Sequence, residues 1–157
     1  MNQTVQSTND AVSQWVTFHL EGETYGIDVL QVQEVLRVSE IAPVPGAPRH
    51  VMGIINLRGN VVTVVDARTR FDLPFRAVDD ASRIIVADIN EKVVGLLVDS
   101  VSEVAYLRTS QIESAPNVGN EGNTRFVLGI AHRDKEMLIL VELNKLLNTA
   151  ELAGMNA

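Results

Sequence analysis

From Trp15 onward, short runs of apolar residues are broken by turn residues. Val16, Phe18 and Leu20 alternate with Thr17 and His19, the two-residue period of a half-buried strand. Glu21-Gly22-Glu23 then turns the chain into Tyr25-Gly26-Ile27, which predicts a hairpin. Over residues 29–36 apolar side chains fall three and four apart, and the spacing predicts a short helix. Ile41-Ala42-Pro43-Val44-Pro45 must run extended, and its prolines cannot donate to a central ladder, so it belongs at a sheet edge. Residues 51–57 and 61–66 flank Arg58-Gly59-Asn60 as a second hairpin. Its second arm is apolar on both faces and reads as a central, covered strand. After a polar stretch at 72–82, strands are predicted at 83–89, 93–98, 101–107, 126–131 and 137–141. A closing helix is predicted at 142–147, with an extension open to about 152. Residues 116–123 have the composition of a flexible loop.

The halves resemble each other. Setting Gly26 on Gly95 also sets Glu34 on Glu103 and the strand at Val16 on the strand at Ile85. Further on, Gly53-Ile54 parallels Gly129-Ile130. A duplicated unit of short strands predicts a mainly β protein of two small five-stranded barrels, since closing a sheet removes exposed edges. The expected organisation is a flexible tail at 1–12, one domain at 13–148 and a C-terminal tail at 149–157. Within the domain, one barrel would take roughly 15–70 with the closing C-terminal segment, and the other 82–141.

Composition narrows the function. Roughly a fifth of the 157 residues are Val or Ile, as strand-rich barrels require. Thirteen Lys+Arg against 20 Asp+Glu leave a formal charge of −7, which argues against a nucleic-acid partner and against an anionic membrane surface. No apolar run approaches the ~18 residues of a membrane helix, so no direct membrane insertion is expected. The absence of cysteine excludes disulfides and thiolate chemistry and agrees with a reducing cytoplasm. The N-terminal residues do not have the pattern of a signal peptide.

Catalytic signatures are missing: there is no phosphate-binding glycine loop, no HExxH and no GxSxG. His19, His50 and His132 do not converge as metal ligands do, so neither metal nor cofactor is expected. Asp66, Asp99 and Glu103 fall at strand or turn boundaries, where they are expected to bond nearby amides. An enzyme or a small-molecule-binding barrel is the disfavoured class. Binding remains. Arg58 is presented at a hairpin tip, Glu34 lies in the same half as an opposite charge, and Val32 shares its segment, where spacing alone favours core packing. Ile41 and Val44, on the proline-marked edge, are candidates for apolar contact with another protein.

Tyr25-Gly26-Ile27-Asp28 followed by Asn56-Leu57-Arg58-Gly59, with Val93-Val94-Gly95-Leu96-Leu97-Val98-Asp99 in the second half, resembles the CheW family of chemotaxis coupling proteins over about residues 14–148. The resemblance implies two interlocked five-stranded SH3-like barrels with short helices. It also implies a non-enzymatic cytoplasmic adaptor, recruited to membrane-associated arrays, between methyl-accepting chemoreceptors and the histidine kinase CheA. A paralogue serving a non-flagellar chemosensory pathway is the alternative. By position, Val32, Glu34, Gly53 and Arg58 match receptor-binding residues, and Ile41 and Val44 match the edge that packs on the kinase's CheW-like regulatory domain. The family's second kinase contact uses an arginine and a phenylalanine after Gln-Ile. Here Gln111-Ile112 is followed by Glu113 and Val118, which puts that contact in doubt.

Overall fold

The computed structural model describes residues 10–114, 126–133 and 135–147. Its strands form two sheets. The first runs, in hydrogen-bonding order, β3 (Val32–Arg37), β6 (Arg83–Ile89), β7 (Lys92–Val98), β5 (Asn60–Asp66) and β4 (Val51–Leu57). The second runs β8 (Ser100–Arg108), β1 (Val12–Leu20), β2 (Glu23–Asp28), β11 (Glu136–Val141), β10 (Val127–Arg133) and β9 (Ile112–Ser114). Four-residue helices, α1 (Ala67–Arg70) and α2 (Leu143–Leu146), follow β5 and β11.

Each half lends its first hairpin to the other. β1 and β2 complete the sheet built from the second half, while β6 and β7 complete the sheet built from the first. The strands of the two sheets therefore come from 32–98 and from 12–28 with 100–141, rather than from the expected units of roughly 15–70 with the closing C-terminal segment and 82–141. The second sheet has a sixth strand, β9, whose counterpart in the first sheet is a single bridge between Ala42 and Ile54. Residues 10–12, assigned to the tail, are tied down: Thr109 N donates to Ala11 O at 3.0 Å, and Ser110 N to the Asp10 carboxylate at 3.1 Å. The predicted loop at 116–123 and the helix beyond Leu147 lie outside the described residues.

The duplication shows in backbone packing. A Cβ on Gly53 would fall 2.2 Å from Ala42 O, and one on Gly129 would fall 2.7 Å from Glu113 O, with Ile41 and Ile112 beside them in turn. The same crossing of an edge segment over a glycine recurs in both sheets. Inside the first sheet, Ile55, Val62, Val64, Ile84, Val86 and Leu97 pack together; inside the second, Trp15, Ala105, Leu107, Ala131, Leu138 and Leu140 do. A third, larger cluster joins them and contains the aromatic chain Phe18–Tyr25–Phe71–Phe126, with ring centroids 5.5, 4.9 and 5.0 Å apart. Burying rings where the sheets meet holds two small cores as one unit.

Polar groups reinforce the junction. Arg68 of α1, only 7% exposed, reaches Asp99 with Nε and Nη2 at 2.7 Å each and Glu21 at 2.7 Å, and donates to Pro74 O at 2.9 Å. Glu21 lies on the β1–β2 turn of the second sheet and Asp99 between β7 and β8, where the chain crosses from the first sheet to the second, so one guanidinium ties the crossing point to a hairpin turn of the second sheet. Fully bonded, such a buried cation fixes geometry. Asp66 behaves as expected, its carboxylate accepting from Arg68 N at 3.0 Å and capping α1. Asp99 accepts Glu21 N at 3.0 Å, while Glu103 instead pairs with Arg133.

The helix predicted at 29–36 is not formed. Asp28 caps a 3-10 turn at Val29–Gln31, accepting Leu30 N at 2.9 Å, and β3 begins at Val32. Pairing of Val35 with Ile85 and Leu36 with Ile84 outweighs the helical period. A bulge between Val32 and Glu34 sets the register.

Candidate functional site

β3 and β4 are the two ends of the first sheet's strand order, yet they meet at one rim. Arg58, on the β4–β5 turn, forms an ion pair with Glu34 of β3; Nη1 also donates to Glu34 Oε1 at 3.4 Å. The hydrogen bonds to Glu34, and then its charge, push the arginine's already high pKa further up. Arg58 stays 68% exposed and Glu34 27%. A pair this wet adds little stability, so its use lies in what it presents.

The local backbone supports that reading. Both turn residues, Arg58 (φ 50°) and Gly59 (φ 88°), have positive φ, as a two-residue type I′ turn requires. Glycine, asparagine or aspartate suits such a position, whereas arginine is uncommon there. Gly59 N donates to Asn56 Oδ1 at 2.9 Å, bracing the turn. A residue kept against local preference at a braced, exposed tip points to function.

Val32 lies on the same strand as Glu34, but the bulge between them turns it to the opposite face, where it is half-buried against the junction core, so it packs beside the rim. Gly53 is not with them. It sits at the other end of β4 from Arg58, roughly 17 Å along the strand by residue count, buried beneath Ala42. The structure groups it with Ile41 and Ala42. Ile41 packs against the first sheet's core, whereas Val44 is half-exposed and belongs to no core cluster. Glu113, on β9, points outward with its carboxylate 3.9 Å from His132 Nδ1, and Val118 lies outside the described residues.

Residues 14–151 match the sequence profile of the CheW-like domain. The chain belongs to the CheW-like family. It is 35% identical over 140 residues to Chemotaxis protein CheW of Klebsiella aerogenes, covering 89% of this chain and 84% of that one. To Chemotaxis protein CheW of Bacillus subtilis it is 32% identical over 133 residues, 85% of each chain. Protein FrzA of Myxococcus xanthus shows 28% identity over 127 residues, 80% of this chain and 79% of that protein. Among solved structures, the scaffolding protein TtCheW from Thermoanaerobacter tengcongensis superimposes with a TM-score of 0.81 at 38% identity, covering 88% of this chain and 94% of that one. The mainly β fold of two SH3-like units is thus that of CheW-like proteins. No helix among the described residues is long and apolar enough to cross a membrane, and no three His, Asp or Glu side chains among them are grouped to hold a metal ion.

Sequence reasoning missed two features of the rim. A groove of about 410 Å³ opens beside Arg58, lined by Leu57, Val61, Lys92 and Val93 among others. Val61 is 68% exposed and Val93 38%, on strands that otherwise face the core. The paired valines at the start of β5 (Val61-Val62) and of β7 (Val93-Val94) hid which side of each strand was covered.

Proposed function

We propose that this protein is a chemotaxis adaptor that couples methyl-accepting chemoreceptors to the histidine kinase CheA. Membership in the CheW-like family and likeness to a scaffolding protein support this role. The observation that carries the site is the exposed Glu34–Arg58 pair on a braced turn. Val32, Glu34 and Arg58 form the receptor-facing rim, with the receptor's cytoplasmic tip as their partner. Gly53 supports the surface indirectly, by letting the Ile41–Ala42 segment cross β4. Ile41 and Val44 form the kinase-facing edge, Ile41 anchoring it and Val44 presented on it. The protein acts by geometry and catalyses nothing. It works in the cytoplasm, held at the membrane through the receptors. A receptor signal reaches the kinase only through contacts that differ between the kinase's two states. Individually modest interfaces gain avidity from repetition in an array.

Two charge reversals test the assignment. Glu34→Arg removes the pair and places two cations together; receptor binding should fall while the circular dichroism spectrum is retained. Adding Arg58→Glu re-forms a pair of opposite sense and should recover part of the affinity. Undiminished receptor binding by Glu34→Arg would remove the rim from the receptor site. For the kinase edge, Val44→Glu is cleaner than Ile41→Glu, because Ile41 also fills the core.

A further inference from the structure

One residue of β3 has no opposite number on β6. Val32 stands across from Ala87 and Glu34 across from Val86, so Gln33 is the extra residue of the bulge. Its side chain closes on the neighbouring strand: Nε2 donates to Asp88 Oδ1 at 2.9 Å, tying the bulge to β6 near its end. A bulge re-aims the side chains beside it. Here Val32 turns to the junction core, and Glu34 turns to Arg58 across the opening between β3 and the β4–β5 turn. The second sheet repeats the device. β8 pairs with β1 through Val104–Val16 and Val101–Phe18, so Ser102 and Glu103 together oppose Thr17. Thr17, buried, fills that bulge from β1: its Oγ1 donates to Glu103 O at 2.8 Å and accepts Glu103 N at 3.0 Å. Glu103, the counterpart of Glu34, is set against Arg133 at the end of β10. Twice, then, a braced bulge adjoins a glutamate that reaches an arginine of the facing hairpin. The braces differ in kind. Thr17 bonds backbone inside the fold, whereas Gln33 and Asp88 meet as exposed side chains, so the first brace can be removed without opening the core.

We infer that Gln33 and Asp88 are positioning residues: their hydrogen bond holds the β3 bulge in the form that aims Glu34 at Arg58. The inference rests on the receptor reading above for its effect on binding, while the aim of Glu34 stands on geometry alone. Among the described residues, no other side-chain hydrogen bond marks Gln33 as the extra residue. Moving the bulge by one position turns Glu34 to the other face of the sheet. Without the brace, Arg58 therefore meets Glu34 for a smaller fraction of the time, and the rim presents two separate charges in place of one fixed pair.

The test uses the full chain, with a purified receptor cytoplasmic fragment and CheA as separate binding partners. Gln33→Ala and Asp88→Ala each remove the bond. Both should weaken receptor binding about threefold to tenfold, the worth of one hydrogen bond, and leave kinase binding at the wild-type level. Combining Gln33→Glu with Asp88→Asn re-forms the bond with donor and acceptor exchanged and should recover the affinity. Gln33→Glu alone sets two carboxylates together and should not. The Arg58 Nε–H resonance in the NMR spectrum reads the aim directly: in Gln33→Ala it should move toward its position in Glu34→Gln, where the ion pair is absent. An Arg58 resonance unmoved by Gln33→Ala overturns the positioning role. So does receptor affinity that Gln33→Ala leaves intact while Arg58→Glu loses it, or a loss that the exchanged pair does not recover; the receptor rim survives each of these results. Equal loss of receptor and kinase binding makes the bulge a general support and likewise overturns the role. Full receptor affinity in Arg58→Glu overturns the receptor reading instead, and the Arg58 resonance then decides the inference by itself.

Discussion

Gly53→Ala is the substitution whose consequence is most closely set by the backbone. At φ 150° the residue occupies a region open essentially to glycine, and its new Cβ would lie 2.2 Å from Ala42 O and 2.8 Å from Ala42 C. Neither atom is the end of a flexible side chain, so the Ile41–Ala42 segment must lift. Lifting it breaks the two 2.8 Å hydrogen bonds between Ala42 and Ile54. These contribute about 1 kcal/mol each, and backbone strain that remains at residue 53 adds ~1–3 kcal/mol. A net loss of about 3–5 kcal/mol follows, a large share of the ~5–15 kcal/mol typical of a domain. Urea denaturation would register the loss, and amide hydrogen exchange at Ala42 and Ile54 would localise it. Gly129→Ala, facing Glu113 O at 2.7 Å, should repeat the effect on β9 in milder form. Because Val44 lies two residues beyond Ala42, kinase binding should fall further than receptor binding. An unchanged urea midpoint, with Ile54 still protected, would refute the steric reasoning. A loss confined to receptor binding would return Gly53 to the receptor surface.

Other substitutions probe separate parts of the structure. Arg58→Asn places a residue suited to positive φ on the turn; its melting temperature should match or exceed wild type while receptor affinity falls, and joint loss of both would show that the arginine is structural. Glu91 occupies the second position of the β6–β7 turn at φ 68°, after Asn90 at φ 50°, where Asn-Gly is the favoured pair. Glu91→Gly should therefore raise stability by about 1 kcal/mol in urea titration, and a decrease would show that the side chain has a compensating contact. The Asp99 carboxyl titrates below its usual value: burial works to raise it, and hydrogen bonds from Arg68 and the Glu21 amide, with the charges of Arg68 and Arg76, outweigh burial. A depressed folded pKa contributes stability above the unfolded value near ~3.9, lost as pH falls through the folded value. Asp99→Asn should thus be less stable at pH 7 and lose less on acidification to pH 3 than wild type does; parallel pH profiles would contradict the junction clamp.

The strands, the turns and the duplication were legible because barrel strands alternate and hairpin turns carry glycine. Residues 29–36 misled for a reason tied to the site. On β3, Glu34 is half-buried on the face that Leu36 turns to the first sheet's core, Val35 is 39% exposed, and the bulge sends Val32 to the junction core on the other face. A carboxylate facing in and a valine facing out spoil the two-residue period, and the remainder imitates a helical one. The two inversions sit at the rim itself. Arg58 was legible as an exposed tip, and the pairing with Glu34 could be suspected by charge, but only the curl of the sheet brings β3 and β4 together. The exchange of hairpins between halves was beyond local pattern, since β5 pairs with β7 and β2 with β11 in parallel across long connections. Arg68 gave no signal, being one arginine among several in a polar-looking turn.

The adaptor reading is tested most directly by reconstituting receptor-containing membranes with CheA, with and without this protein, and measuring kinase autophosphorylation. The account predicts that receptor control of the kinase requires the protein, is lost with Arg58→Glu at the receptor step, and is lost with Val44→Glu at the kinase step. Receptor-controlled kinase activity that is the same whether or not the protein is present would contradict it.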